Sequence, residues 1–305
     1  MIILYAKQEE VSMKIIIDST CQLEPERIKE LGLTIIDMPV YLNGEEYPQT
    51  WDMPNWREEK EKFISLMRDK NNKITTVGAS EAQFIEAFEK HKDEEILLIT
   101  QALRNTQATA DAVHAVLKNH PEYDVKAFDS RSLVSGVGVQ LLAMLNETKG
   151  ETPTRDECYN ILEKNCENTH VMGALYDLFY LHRGGRVGLA QAVMGTAMGI
   201  MPLLSVVPGS GEIKAMGKAR NYKQACARFL TTINGQMEEK NSKKLTLAMS
   251  YVGGHDKECL YMKKLLEKAA EENGWELYFE LNYSNFAHMP HLGPDYFEMG
   301  YVIGT

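Results

Sequence analysis

The first half of the chain alternates short β-branched runs with longer segments whose apolar residues recur three and four positions apart. The short runs have the length and composition of buried strands, and the longer segments have helical periodicity. This alternation predicts a mainly parallel sheet with helices on both faces. The strand patterns lie at 14–18, 95–100 and 125–130, and the helix patterns at 56–69, 80–91, 105–120 and 134–147.

Local signals fix several turns and helix ends in this pattern. Asn43-Gly44 separates two extended runs and predicts a β-hairpin. Ser80 with Gln83 three positions later has the spacing of a capping box at a helix start. The stretch 208–211, Pro-Gly-Ser-Gly, predicts a second hairpin.

The pattern restarts after Pro153. A helix pattern at 154–167 precedes a strand pattern at 170–177, and a glycine-rich helix is predicted at 189–200. Because 305 residues exceed what one core usually spans, two α/β domains are expected, at 13–170 and 171–305. The later patterns are the helices 221–238 and 256–273 and the strands 244–252, 275–282 and 301–305. Residues 1–12 are interpreted as an N-terminal appendage of unknown role.

Charge and cysteine content narrow the class of protein. A net charge of −10 argues against nucleic acid or an anionic membrane as the main partner. The five cysteines include no C-x-x-C pair, which is typical of a reduced, cytoplasmic protein. No apolar run reaches membrane-spanning length, so no integral membrane segment is expected.

Motifs for nucleotide, metal and hydrolase chemistry are incomplete or missing. The chain has no P-loop and no G-x-S-x-G, and the dinucleotide pattern that starts at Gly136 and Gly138 fails at Leu141, so helix packing explains these glycines better. His288 and His291 precede Asp295, but the intervening Pro290 opposes the regular helix that would align two imidazoles on a metal. We therefore predict no cofactor, no metal and no catalytic residue.

Polar side chains cluster instead where strand patterns end. Thr76 follows one extended run, and Arg104, Asn105 and Thr106 follow the strand 95–100 at the start of a helix. Ligands of open α/β sheets bind beyond the carboxyl ends of the strands, and helix N-termini there suit anions. Capping alone explains Ser80 and could explain Asn105. It does not explain Arg104, because a cation at a helix start opposes the helix dipole.

The stretch 181–188, LHRGGRVG, places two glycines between Arg183 and Arg186. A phosphate site, a carboxylate site and a plain glycine helix stop with cations near the helix end all fit this pattern. The residues alone do not decide between them.

Seven stretches together resemble, in order, the DegV family of two-domain α/β proteins that bind long-chain fatty acids. The most specific is LFYLHRGGRVG at 178–188, which is similar to the family pattern L-x-x-L-x-x-G-G-R-I. The others are IIIDST (15–20), ITTVGAS (74–80), ITQALRNTQATA (99–110), AFDSRSLVSGVG (127–138), GIMPLLSVVPGSGEIKAMGKAR (199–220) and HLGPD (291–295).

The resemblance implies a lipid tunnel in the C-terminal domain that reaches the inter-domain cleft, with the fatty-acid carboxylate bound at the cleft. In this sequence Arg104 stands where the family has a serine, Asn105 where it has a glycine, and Asp295 where it has the last glycine of H-x-G-P-G. The implied carboxylate ligands are Thr76, Arg104, Asn105, Thr106 and His291. The residues implied to line the cleft or dock a partner are Arg183, Arg186 and Arg220.

The function implied by the resemblance is that of a non-enzymatic acyl carrier. Such a protein binds a long-chain fatty acid and presents its carboxylate to a fatty acid kinase. The alternative is a phosphotransfer or dihydroxyacetone-kinase-like enzyme subunit, for which His288 and His291 are the candidate covalent anchors.

Overall fold

The computed structural model describes residues 13–48, 53–185 and 199–305. The predicted appendage at 1–12, Arg186 and residues 189–198 of the predicted glycine-rich helix lie outside these ranges. The helices are α1 Pro25–Glu30, α2 Trp56–Arg68, α3 Glu81–Glu89, α4 Gln107–Asn119, α5 Ser135–Glu147, α6 Arg155–Cys166, α7 Phe179–Arg183, α8 Tyr222–Glu239, α9 Asp256–Asn273 and α10 Met289–Leu292, with a short 3-10 helix at Leu103–Asn105. None of these is long and apolar enough to cross a bilayer.

A parallel sheet forms from the first half of the chain, as the alternating pattern predicts. Its strands are β1 Met13–Asp18, β2 Thr34–Ile36, β6 Glu95–Thr100 and β7 Val125–Asp129, in the order β2-β1-β6-β7. All three pairings are parallel, so the carboxyl ends of β1 and β6 meet at one edge. The capping box predicted for Ser80 and Gln83 is present at the start of α3.

A small antiparallel sheet contains the first predicted hairpin. Its strands are β3 Val40–Leu42, β4 Glu45–Tyr47 and β5 Ile74–Thr76. Asn43 and Gly44 both have positive φ, +54° and +90°, as a type I′ turn requires. Pairing of β5 with β3 sets Thr76 opposite Val40 and thereby fixes its position.

A six-stranded mixed sheet forms from the second half. Its strands are β8 Thr169–Leu175, β9 Met201–Val206, β10 Ile213–Ala219, β11 Lys244–Tyr251, β12 Glu276–Tyr283 and β13 Tyr296–Ile303, in the order β10-β9-β8-β13-β11-β12. The predicted hairpin joins β9 to β10. The last strand was expected at 301–305 and instead begins at Tyr296, because Glu298 and Gly300 interrupt its apolar pattern although every residue of β13 is buried.

The two large sheets face each other across α5. Residues 135–145 of this helix are all buried. One core holds Ile17 and Leu97 of the parallel sheet, Leu141 of α5 and Val302 of the mixed sheet. Helices α3 and α4 cover the outer face of the parallel sheet, and α8 and α9 cover the outer face of the mixed sheet. The change of sheet falls between α6 and β8, while the domain limits stay a prediction.

Helix α2 ties the small sheet to the second half of the chain. Phe63 packs on Phe286 with ring centroids 4.8 Å apart. Lys60 is 1% exposed, and its ammonium donates to the carbonyl oxygen of Tyr283 at 3.3 Å and to Oδ1 of Asn285 at 3.1 Å. The burial of this ammonium lowers the pKa of Lys60 to about 7.

Candidate functional site

A cavity of about 650 Å³ opens where the carboxyl ends of β1 and β6 approach the mixed sheet. Its size lies within the range of roughly 300–1,000 Å³ usual for small-molecule sites. Thr20 and Gln101 line it from the parallel sheet, and Val171 and Leu204 line it from the mixed sheet. The position agrees with the rule that α/β sheets bind ligands beyond their strand ends.

Asp18 holds the two strand ends together beside this cavity. Its Oδ1 accepts hydrogen bonds from the N–H of Thr20 at 3.0 Å and from the Thr20 hydroxyl, and its Oδ2 accepts from the N–H of Gln101 at 2.7 Å. Asp18 is fully buried, and burial raises the pKa of its carboxyl group. The D-S-T turn of the sequence therefore builds the polar edge of the site.

All five predicted carboxylate ligands line this one cavity. Thr76 and His291 are in direct contact, with Oγ1 and Nε2 2.8 Å apart. They come from β5 and from α10, which are remote in sequence. The structure thus brings the predicted residues together, and their role toward a carboxylate stays a prediction.

The 3-10 helix is fastened to the tip of the β9–β10 hairpin through two of these residues. Arg104 is exposed, and its Nη1 donates to the carbonyl oxygen of Ser210 at 3.1 Å. Asn105 Nδ2 donates to the carbonyl oxygen of Gly211 at 2.9 Å. Neither side chain therefore caps the N-terminus of a helix. Helix α4 begins after Thr106, and the hydroxyl groups of Thr106 and Thr109 lie 2.9 Å apart.

The two glycines of LHRGGRVG end α7 next to His291. Gly185 has φ +73°, as in the glycine helix stop that was one of the three interpretations of this stretch, and it also lines the cavity. A Cβ at Gly184 would lie only 2.5 Å from Nδ1 of His291. Gly184 is therefore required by close packing against a cavity residue, which the local pattern did not reveal.

Of the three cationic cleft candidates, the two that the structure describes, Arg183 and Arg220, do not line the cavity. Arg183 donates from Nη1 to the carbonyl oxygen of Asn72 at 3.0 Å, and its guanidinium lies 5.1 Å from the ring centroid of Tyr180. Arg220 is exposed between β10 and α8 and is not among the cavity-lining residues. Arg186 lies outside the described residues.

Asp295, the departure from the family glycine, forms side-chain contacts with Arg68 and His255. Arg68 donates to its Oδ2 and Oδ1 at 2.6 and 2.7 Å, and His255 Nε2 lies 3.0 Å from Oδ1. These contacts lower the pKa of Asp295 against the raising effect of burial. The residue therefore joins α2 to the mixed sheet through ion pairs.

The wall formed by the start of α5 contains a strained residue. Val134 lines the cavity with φ +48° and ψ −137°, a conformation that a β-branched residue rarely adopts. Such strain is concentrated at ligand and active sites. The next residue, Ser135, begins α5, and its N–H donates to Oε1 of Glu298 at 3.3 Å.

Glu298 is one of the cavity residues that the sequence patterns missed. It is 2% exposed on β13, and burial raises the pKa of its carboxyl group to about 8. The sequence does contain a signal for Glu298, namely an acidic residue between the apolar residues Phe297 and Met299. Burying an acidic side chain in a strand is unfavourable, so its presence there indicates a function or a partner.

The comparisons with known proteins agree with this geometry. The profile described as uncharacterised protein, DegV family, matches residues 12–302. A DegV domain-containing protein of Clostridium perfringens is 25% identical over 238 residues, which cover 76% of this chain and 81% of the relative. The fatty-acid-binding DegV family protein of Thermus thermophilus has a TM-score of 0.78 at 22% identity, covering 96% of this chain and 99% of its own. The stearic-acid-binding protein of Eubacterium ventriosum has a TM-score of 0.78 at 20% identity, covering 95% and 98%.

Proposed function

The chain belongs to the DegV family, and from this membership we propose that it binds a long-chain fatty acid and carries it without catalytic activity. The observation that supports the proposal most is the cavity itself. Its lining combines hydroxyl, amide, imidazole and guanidinium groups with valine and leucine side chains. A fatty acid has the same division into a polar head and an apolar tail.

The tail is expected to supply most of the affinity. Burying a methylene group stabilises a complex by about 0.8 kcal/mol, so a chain of about sixteen carbons gains on the order of 12 kcal/mol before ordering costs. Each pair of methylenes removed should then weaken binding by about 1.6 kcal/mol, or roughly tenfold to twentyfold. The head group sets the orientation of the ligand in the cavity.

The carboxylate is proposed to bind at Thr76 and His291, with Arg104, Asn105 and Thr106 beside them. The contact of Thr76 with His291 joins two hydrogen-bonding groups at one point of the wall. Arg104 adds a charged donor at an exposed position, where a carboxylate would remain close to the surface. A head group held there would be accessible to a partner enzyme, and we propose a fatty acid kinase as that partner.

Native mass spectrometry of the intact protein purified from cells tests the carrier function. An adduct with the mass of a fatty acid is expected, which delipidation removes and added acid restores. Calorimetry on the delipidated protein with acids of increasing length should then give the predicted increment per methylene pair.

If the purified protein binds no fatty acid, the proposed carrier function is refuted. Absence of an adduct, together with turnover of a triose and a nucleotide, would support the phosphotransfer alternative. His288 and His291 both line the cavity, so that reaction would be expected to label one of them with phosphate.

A further inference from the structure

The floor of the cavity is the face of the mixed sheet that is turned toward α5, and it carries a carboxyl group among apolar side chains. Val171 on β8 and Leu204 on β9 line this floor, and β13 contributes Glu298. Strand register pairs Glu298 with Gly173. A Cβ at Gly173 would lie 3.2 Å from the Cβ of Glu298, so the glycine leaves space on the floor beside this side chain.

The hydrogen bonds that Glu298 accepts from Ser135 go to one of its two carboxyl oxygens, Oε1. The Ser135 hydroxyl donates to Oε1 at 2.6 Å, and the Ser135 N–H donates to the same atom at 3.3 Å. Ser250 Oγ lies 2.8 Å from Ser135 Oγ and extends the polar group to β11. Oε2 makes no hydrogen bond within residues 13–48, 53–185 and 199–305. Glu298 lines the cavity, and its carboxyl group therefore has one oxygen that is buried without a hydrogen-bond partner among the described residues.

The protonation state of Glu298 determines whether its carboxyl group can donate a hydrogen bond as well as accept one. Because burial raises its pKa to about 8, the carboxyl group is mostly protonated at neutral pH. A protonated carboxyl group donates one hydrogen bond and accepts others. A plain hydrocarbon chain offers no partner for either, and a buried polar group without a partner is unfavourable.

Glu298 belongs to a different element from the proposed head-group pair. Thr76 lies on β5 and His291 on α10, whereas Glu298 lies inside β13 and contacts the start of α5. Because all three residues line the same cavity, we place the acyl chain of a ligand whose carboxylate is held by Thr76 and His291 beside Glu298.

We propose that the preferred ligand is a fatty acid with a hydroxyl group within its acyl chain, and that Glu298 is the residue that selects it. The inference rests on the proposed fatty-acid-binding function. A hydroxyl group both donates and accepts, so it pairs with the carboxyl group of Glu298 in either protonation state. A keto group can only accept, so it pairs with the protonated form of Glu298 alone, and a second carboxylate would place another acid in an apolar wall. Selection by a buried polar group acts mainly against ligands that leave it unpaired.

Calorimetry on delipidated full-length protein tests this with stearic acid and with hydroxystearic acids that carry the hydroxyl group near the middle of the chain. The wild type should bind at least one hydroxystearic acid about 3–10-fold more tightly than stearic acid. Glu298→Met, similar in length and apolar, should lose this preference and bind stearic acid more tightly. Glu298→Gln keeps a donor and an acceptor and should retain part of the preference.

Glu258→Gln is the matched control. Glu258 is also a buried carboxyl group, 1% exposed, but it lies on α9 and pairs with Tyr176 and His255 outside the cavity lining. Its variant should leave the ratio of the two affinities unchanged.

The possible results separate the two proposals. Tight binding of stearic acid without preference for any hydroxystearic acid overturns the selection by Glu298 and leaves the carrier function intact. A preference that survives in Glu298→Met overturns it as well. Binding of no fatty acid overturns the carrier function and the inference together. If Glu298→Met does not fold, the wild-type preference and its reduction in Glu298→Gln still decide.

Discussion

Replacement of the buried Lys60 should change the pH dependence of stability. The ordinary pKa of 10.5 falls to about 7 in the folded protein. Each pKa unit corresponds to about 1.4 kcal/mol, so keeping Lys60 charged costs the folded state about 4–5 kcal/mol. Below the folded pKa both states are protonated and this cost is fully present. Between about pH 7 and 10 the unfolded chain binds more protons than the folded one, so stability rises with pH.

The perturbation is Lys60→Met, compared with the wild type by chemical denaturation between about pH 6 and 9. Relative to this variant the wild type should gain stability as pH rises, approaching about 1.4 kcal/mol per pH unit above pH 8. Loss of the contacts that the neutral amine makes with Tyr283 and Asn285 adds an offset that does not change with pH. The slope of the difference, rather than its value at one pH, is therefore the result to examine.

Lys62→Met is the control, because Lys62 lies on the same helix with a side chain 65% exposed. Its difference from the wild type is the baseline for removing an exposed lysine from this helix, with which the slope of Lys60→Met is compared. A slope for Lys60→Met no steeper than this baseline would refute the reasoning, since it would mean that Lys60 titrates alike in both states.

Two further predictions concern the head-group region. Arg104→Ala should weaken binding of a free fatty acid by about 1.5 kcal/mol and binding of its methyl ester by less, because only the acid offers a charged acceptor. Calorimetry with both ligands compares the two losses, and equal losses would show that Arg104 does not bind the carboxylate. Gly184→Ala should weaken acid binding, because its Cβ would lie 2.5 Å from Nδ1 of His291, whereas Gly185→Ala should mainly lower stability by about 1–2 kcal/mol through its φ of +73°. Affinity and unfolding measurements on both variants check this, and unchanged affinity in Gly184→Ala would contradict it.

Features encoded within a few residues were predictable from the sequence. The Asn43-Gly44 turn needs only two residues with positive φ, and the capping box at Ser80 is complete within four residues. Gly136 and Gly138 were interpreted as packing glycines, and a Cβ on Gly138 would indeed lie 2.1 Å from the carbonyl oxygen of Cys21. The family resemblance added the residues that meet at the cavity.

Features created by tertiary contact were not predictable in this way. The extended run at 33–47 divides between two sheets, β2 joining β1 and β3 joining β5, and no local pattern marks that division. The sequence shows Asp295 only as a replacement of the family glycine. Its ion pair with Arg68 is formed by tertiary contact and has no local signal. Glu298 acquires its role from Ser135 and Gly173, which are more than 120 positions away along the chain.

The position of α5 restricts how a ligand can exchange. This helix forms one core with both large sheets, so swinging the sheets apart would expose its buried face to water. Exchange should therefore proceed by local movement around the cavity entrance while the centre of the molecule stays closed. In amide hydrogen exchange, the interior of α5 should be among the slowest segments with or without ligand, and ligand-dependent protection should concentrate in the segments that border the cavity.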